Sequence, residues 1–583
     1  MNHCQLRWSV VCCWMIFAGA CSTRAHLLAT EPRPADVPGL SYIKTTGALA
    51  RMPDGRLMDW SSRGPRGAQR VQARFSEDEG QTWSSPRNLF VFPAEEGNYG
   101  TGYVNILDQD GGVHLFGLHY IGTGAGGFHN WEEARSFIYH VMSPDNGKTW
   151  TRAQHCDFGY LYTGAVNSAI QLESGRLLVP LSYYSKRKTG KFVSNLSISD
   201  DRGNSWRPSK GECVIDSGGH LLEGGANEPI CIELQDGRVW MLMRTQTGYQ
   251  HESFSSDGGD TWSEPGPSRF VSSNAPGFLL RLRDGSMVFV WNNCMSPYNQ
   301  GNILTSYDRQ VLAAAISRDD GKSWQGYREI ARVTGEHQQV TYPFLLETDG
   351  DAFFCRYESG RAVRVPTQWL TEKRVTETFE KGLQNWMTIG CKGADIVAHP
   401  DRPEAKVLRL HKPRADTPAG ASLNFPFGTR GEIKLRVLLK PDERWPGRQH
   451  HYLCLTDFFS LPRLPAIIKG QPLSGWGVFP EGGRFKLRIA PDGQISVATR
   501  PGLFQDEFRR TRATLVPGQW HTLSLAWDCE AGICALSLDG QPVTDLPQLS
   551  RARGICYLRL WMSAVVIEPQ GMLVESVEVR VHP

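Results

Sequence analysis

The sequence carries almost no net charge: 63 Lys and Arg against 60 Asp and Glu leave a formal +3 over 583 residues. There is no whole-chain basic field to hold a phosphate backbone and no acidic solvating tail, so nucleic acid is not an expected partner. Long apolar runs are scarce as well. One stands out, Trp8 to Ala20 after Arg7, of about 13 residues; it is too short for a bilayer core of roughly 30 Å and suits the apolar region of an export signal. Ten cysteines follow residue 21, yet none forms a Cys-x-x-Cys pair or a Cys/His set at zinc spacing, and no nucleotide-binding glycine fingerprint stands out. No cofactor or metal is expected. Most of the cysteines are expected to be buried and free, with Cys529 and Cys534 the one local pair to test for a disulfide.

What is present is glycine, proline and tryptophan: 60, 35 and 18 residues, in a chain that is 40% hydrophobic. Disorder and coiled coil are excluded, and many short strands joined by tight turns are indicated. The length predicts two to three domains. Phe17-Ala18-Gly19-Ala20-Cys21-Ser22 resembles a bacterial lipoprotein processing site with Cys21 as the lipid-bearing residue; ordinary cleavage after Ala20 is the alternative. Residues 1–21 are read as the signal segment and 22–37 as a linker, which places the protein outside the cytoplasm, periplasmic or at the cell surface, with a lipid anchor to a bacterial membrane.

The chain repeats itself. Ser76-Glu77-Asp78-Glu79-Gly80-Gln81-Thr82-Trp83 returns in register from Ser143, Ser199, Ser255 and Ser317, always as Ser-x-Asp-x-Gly-x-(Thr/Ser)-Trp, with starts 67, 56, 56 and 62 residues apart. The physical reading is a hairpin turn in which the Asp carboxylate accepts from turn N–H groups, Gly takes a positive φ and Trp packs beneath the sheet. A second unit, apolar strand, Gly turn, apolar strand, occurs six times, around Gly55, Gly112, Gly175, Gly237, Gly285 and Gly350. Each of the first five precedes one Ser-x-Asp turn, the order expected of four-stranded blades. The fold class is all-β: a six-bladed β-propeller over 38–374.

After Arg374 the repeat stops. Thr378 to Trp386 reads as an opening strand, Gln519 to Asp528 alternates with period two, and Leu536 to Val543 reads as a strand with an Asp539-Gly540 turn. This trio resembles the laminin-G or concanavalin-like jelly roll, a β-sandwich over 375–583. Such modules often bind sugars, and many only pack against a neighbour.

The five Ser-x-Asp turns on six blades resemble the sialidase superfamily over roughly residues 40–360. That resemblance implies a site at the propeller axis with three Arg for the substrate carboxylate, a Tyr nucleophile, a Glu that takes its proton and an Asp acid/base. The choice has a chemical reason: a carboxylate on the anomeric carbon repels an anionic nucleophile, so a neutral phenol assisted by Glu serves, and guanidiniums neutralise the acid. Asn227-Glu228-Pro229-Ile230 is similar to the Glu-bearing segment and gives Glu228. Met243-Arg244 gives the second Arg as Arg244, and Asp308-Arg309-Gln310 gives the third as Arg309. Thr341-Tyr342-Pro343, with Tyr357-Glu358, resembles the closing segment and gives Tyr342. Glu233 is read as structural.

Two of the six positions depart from the pattern. Thr45-Thr46-Gly47 stands where the first Arg belongs, with Lys44 one position away, and Gly67-Ala68-Gln69-Arg70-Val71 carries no carboxylate for the acid/base. Asp59, Glu95, Glu96 and Glu223 are acids near strand ends that would reach the axis, and Tyr99, Tyr103, His119, Tyr120 and His129 are proton carriers of the second blade. His119, at a strand end, is the candidate acid or base. The expectation is an exo-acting glycoside hydrolase on an anionic glycan, sialic-acid-like or uronate. A uronate-directed lyase would use Arg244, Arg309, Tyr342 and His119 equally well, and a glycan-binding propeller without catalysis is the third reading.

Overall fold

The computed structural model describes residues 36–582 except 64–68, 93–98, 122–134, 163–165, 186–190, 217–223, 295–308, 334–337, 358–359, 389–390, 416, 418, 441–449, 461–466, 469–470, 473–482, 502–505 and 563–566. The export segment with Cys21, and Glu95, Glu96, His129, Glu223 and Glu358, lie outside the described residues, as does the side chain of Tyr99.

Strand β1 (Ser41–Lys44) precedes the first blade, which holds β2 (Ala48–Arg51), β3 (Leu57–Arg63), β4 (Gln69–Ser76) and β5 (Arg87–Phe92). The second holds β6 (Tyr99–Leu107), β7 (Val113–Ile121), β8 (Arg135–Ser143) and β9 (Gln154–His155). The third holds β10 (Ile170–Gln171), β11 (Leu177–Ser185), β12 (Lys191–Ser199) and β13 (Arg207–Pro208). The fourth is β14 (Asn227–Glu233), β15 (Val239–Arg244), β16 (Tyr249–Ser255) and β17 (Gly266–Val271), and the fifth β18 (Phe278–Arg281), β19 (Met287–Trp291), β20 (Val311–Ser317) and β21 (Gln325–Arg332). The sixth has β22 (Phe344–Glu347), β23 (Ala352–Tyr357) and β24 (Arg361–Pro366), and takes β1 as its outer strand, Ser41 opposite Arg364. The start of the chain thus closes the ring onto its last blade. First strands of neighbouring blades touch, β2 with β6 and β22, and β18 with β14 and β22, so they surround the axis.

The Ser-x-Asp turns are built as their chemistry predicts. Ser76 Oγ donates to Asp78 Oδ1 at 2.8 Å and accepts from Gly80 N, while Thr82 donates to both Asp78 oxygens. The same bonds recur at Asp145, Asp201, Asp257 and Asp319. These turns join third to fourth strands, and the Gly turns join first to second, so both kinds lie on one face of the ring. The opposite face is left for first-strand beginnings, second-strand ends and third-strand beginnings.

Beyond the ring, two antiparallel sheets of eight and seven strands form a β-sandwich around one apolar core. Trp520–Asp528 is a strand with alternating burial, as its period predicts, and Asp539 and Gly540 take φ of 51° and 79° between strands Ile533–Leu538 and Gln541–Pro547, a two-residue hairpin. The opening strand lies earlier than the sequence suggests. Arg374–Glu377 pairs with the last strand, whereas residues after Thr378 turn, with Phe379 at φ 63°, until the short strand Trp386–Met387. Cys529 and Cys534 form no disulfide: each is a buried free thiol in the sandwich core. The sandwich packs on the fifth blade. Tyr327 stacks on Phe427 at 4.2 Å, and Tyr557 donates to the buried Glu329 at 3.0 Å. Among the described residues no helix is long and apolar enough to cross a membrane.

Candidate active site

The innermost strand of the fourth blade begins irregularly. Its pairing with β15 slips between Asn227 and Ile230, and Glu228, inside the slip, has φ 40°. The bulge re-aims this one side chain away from the strand's alternation. It is held by its own amide, which donates to Ser182 Oγ at 2.9 Å, and by Gly225 (φ 109°) nearby, where a Cβ would lie 2.3 Å from the Phe192 carbonyl oxygen. Tyr342 stands just before β22 with φ 53°. Left-handed backbone at two non-glycine residues persists only where surrounding contacts impose it, and it gathers at functional sites.

These two residues meet. The Tyr342 hydroxyl donates to Glu228 Oε1 at 2.9 Å, and Arg244 Nη1 donates to Glu228 Oε2 at 2.7 Å and to the Tyr342 oxygen at 3.4 Å. Glu228 is 1% exposed and Arg244 also buried, whereas Tyr342 keeps part of its surface open to solvent. Arg309, ahead of β20, sets its guanidinium 5.5 Å from the Tyr342 ring centroid. Burial, and then the Glu228 charge, push the Tyr342 phenol well above its ordinary 10, against the opposing pull of Arg244 and Arg309. At neutral pH the phenol is therefore protonated, with Glu228 positioned to receive its proton.

A fifth residue joins the two guanidiniums, one that no sequence motif marks. Asn274, 1% exposed in the loop between the fourth and fifth blades, accepts from Arg244 Nε on its side-chain oxygen at 2.6 Å. Its backbone carbonyl accepts from Arg309 Nη2 at 2.8 Å. Gln339 contributes a weaker contact to Arg309 at 3.4 Å. A lone Asn in Ser272-Ser273-Asn274-Ala275 has no spacing or repeat to mark it.

Three other candidates fall outside this cluster. His119 is fully buried between blades, its ring 4.9 Å from Phe92 and 5.1 Å from Tyr139; burial lowers its pKa to about 4. An imidazole neutral at pH 7 and enclosed by rings is a packing residue, not the acid. Asp59, 1% exposed, accepts from the amides of Thr46 and Gly47 at 2.7 and 2.8 Å and from Arg74 Nε at 2.9 Å. It thereby folds the segment where a first Arg would stand, and Gly47 cannot be replaced there because a Cβ would lie 1.8 Å from the Trp60 carbonyl oxygen. Lys44 is exposed on β1, the outer strand of the sixth blade, and does not substitute for that Arg. Among the described residues no group of three or more His, Cys, Asp or Glu is arranged to hold a metal ion.

A family model described as BNR repeat-like domain matches residues 57–355. Anhydrosialidase of Macrobdella decora is 32% identical over 190 residues, which are 32% of this chain and 22% of that protein, so the match spans about a fifth of the relative's length. Among solved structures, Trypanosoma rangeli sialidase in complex with the inhibitor DANA aligns with a TM-score of 0.40 at 12% identity over 92% of each chain. Hadza microbial sialidase Hz136 aligns with a TM-score of 0.42 at 15% identity, over 56% of this chain and 66% of the other.

Proposed function

As the chain belongs to the BNR repeat-like domain family of the sialidase superfamily, we propose that it is a glycoside hydrolase that removes a terminal anionic sugar, sialic-acid-like, from a glycan. The observation that carries this reading is the short contact between the Tyr342 phenol and Glu228, with Arg244 bonded to both. The name of the Macrobdella decora relative, anhydrosialidase, favours a sialoside over a uronide.

Arg244 and Arg309 receive the sugar carboxylate, which gives up water for two charged donors. Tyr342 Oη attacks the anomeric carbon; a C–O bond to the phenol forms as the bond to the leaving oxygen breaks, and the phenolic proton passes to Glu228 Oε1. The leaving oxygen takes a proton from an acid. Asp59 and His119 are committed elsewhere, which leaves Glu95, Glu96 and Glu223 to be tested one at a time. Water then gives a proton to the now-deprotonated acid as it attacks the anomeric carbon, the C–O bond to Tyr342 breaks, Glu228 returns the proton to the phenol oxygen, and the two displacements together retain configuration.

The test is incubation of the full chain with sialyl and uronyl glycosides, followed by intact-mass and peptide mapping with 2,3-difluorosialic acid. A covalent adduct on Tyr342, absent from Tyr342→Phe, supports the reading. Release of an unsaturated uronate product would replace hydrolysis with elimination, and glycan binding without any product would leave a lectin-like propeller.

A further inference from the structure

Asn292 follows β19, the second strand of the fifth blade, on the face of the ring that carries the site, and it is fully buried. Its side-chain amide has two protons, and each goes to a main-chain carbonyl: Nδ2 donates to Val311 O and to Val340 O, both at 2.7 Å. A flipped amide would set an oxygen against two carbonyl oxygens, so these bonds fix its orientation. Oδ1 meets no donor among the described residues. A buried acceptor left without a partner costs the fold stability, so a residue kept for stability alone would be one that closes all its bonds there.

Both acceptors lie two residues from a member of the reacting cluster. Val311 opens β20 two positions after Arg309, and Val340 stands two positions before Tyr342. Residues 338–343 belong to no strand, so the approach to Tyr342 has no sheet ladder to hold it. Instead, the carbonyl of Val340 accepts from Asn292, and the amide of Val340 donates to Arg309 O at 2.9 Å. One side chain thus ties the two segments to each other and to the end of β19. The left-handed backbone of Tyr342, with φ 53°, needs such contacts from outside to persist.

We infer that Asn292 is a positioning residue: it sets the spacing between the Tyr342 phenol and the Arg309 guanidinium by pinning the segments that carry them, without itself touching substrate. This rests on the proposed reaction for its kinetic consequence but not for its geometry. A side-chain amide suits the task, since one planar NH2 group serves two carbonyls at once, which a single hydroxyl proton does not. Displacing a reacting group by about 1 Å costs about a hundredfold in rate. Arg244, held by Asn274, still grips the carboxylate when Asn292 is lost, so the effect falls on kcat more than on KM.

The test compares the full chain with Asn292→Ala, Asn292→Ser and Asn293→Ala by sialoside kinetics, thermal melts and crystallography. Asn293 controls for a merely loosened fold: its Nδ2 donates to Asp457 O of the sandwich at 2.9 Å. Expected in Asn292→Ala is a kcat about a hundredfold lower with KM raised no more than about threefold, and in Asn292→Ser, which keeps one donor, a kcat about tenfold lower. Asn293→Ala should stay within about twofold of the unsubstituted kcat, whatever its melting temperature. An undiminished kcat in Asn292→Ala, or the same loss in Asn293→Ala, overturns the positioning role. Should Asn292→Ala not fold, Asn292→Ser against Asn293→Ala carries the same comparison. If none of these proteins, the unsubstituted chain included, turns over a sialoside, the proposed reaction falls and the crystal structures decide. A Tyr342–Glu228 contact opened beyond about 3.5 Å in the Asn292 variants alone then supports positioning, and one kept at 2.9 Å overturns it.

Discussion

Tyr342 and Glu228 stand 114 positions apart, meet at 2.9 Å, and both hold left-handed backbone, with φ of 53° and 40°. Such conformations cost about 1 to 3 kcal/mol each, and the contacts of Arg244 and Ser182 are what hold the arrangement. Tyr342→Phe removes the phenolic oxygen proposed to attack the sugar, without leaving an unpaired charge. Turnover of a sialoside falls on the order of a thousandfold or more, while the melting temperature changes little. Glu228→Ala behaves differently, because Arg244 stays buried without its counter-ion; a loss of about 3 to 5 kcal/mol is expected by denaturant titration. Variants with the opposite ranking, active Tyr342→Phe and stable Glu228→Ala, would contradict the roles assigned.

Asn274 tests how the two guanidiniums are spaced. In Asn274→Ala the backbone carbonyl that receives Arg309 remains, and the side-chain bond to Arg244 Nε is lost. A hydrogen bond to a charged group contributes about 1.5 to 3 kcal/mol. We expect KM for an anionic glycoside to rise about tenfold or more, with a smaller change in kcat, and Asn274→Asp to recover part of the loss. Equal effects on carboxylate-bearing and carboxylate-reduced substrates would show that Asn274 does not act through the clamp.

Parts of this site were legible because their signals are local. Glu228, Arg244, Arg309 and Tyr342 were named through the resemblance of the short segments around them to the sialidase superfamily, and the Ser-x-Asp turns carry their hydrogen bonds within eight residues. Asn274 was not legible, since its function arises only when the ends of three blades converge. His119 was misplaced for a related reason. It lies near the site-facing end of β7, but which face of that strand a neighbouring blade covers, here with Phe92 of the first blade, is a property of the closed ring. Asp59 was read as an acid near a strand end that would reach the axis; its donors come from Thr46, Gly47 and Arg74, at separations with no recognisable spacing.

His119 and His140 make the fold sensitive to acid. Burial holds them near 4 and 3, below the ordinary 6.5. Between about 6.5 and 4 the unfolded chain binds protons on these imidazoles that the folded chain refuses, so stability is lost as pH falls through that window. His119→Phe, which suits the ring-lined site, removes one of these groups. Thermal melts from pH 7 to 4.5 should show a shallower decline for the variant than for the unsubstituted chain. Its activity should be unchanged at pH 7; a large loss of kcat would return His119 to the active site.

The Ser-x-Asp turns stabilise without reacting. Ser255 is buried, donates to Asp257 Oδ1 at 2.7 Å and accepts from Gly259 N at 2.8 Å. Ser255→Ala leaves that amide and carboxylate each short of a partner, at about 1 to 3 kcal/mol. The fourth blade carries both this turn and Glu228, at opposite faces, so reduced stability with unaltered kcat/KM is expected. A matched loss of kcat/KM would mean that the turn face communicates with the site.

The propeller and the sandwich should unfold together. Apolar residues from both, among them Trp291 and Tyr327 of the fifth blade and Phe459, Cys556 and Tyr557 of the sandwich, form one buried cluster. Its edge is polar but satisfied, with Tyr557 donating to Glu329, and Glu329 N donating to the Asn424 side chain at 2.9 Å. Tyr557→Phe leaves Glu329 buried with a lost donor, a cost of about 1 to 3 kcal/mol, and Phe427→Ala uncovers the face of Tyr327. Scanning calorimetry of the full chain should give one transition, lowered in both variants. A chain cut after Arg374 would expose that cluster as an apolar patch and should aggregate. A soluble, monomeric product of that cut with the parent melting temperature would show instead that the sandwich adds nothing to the stability of the ring.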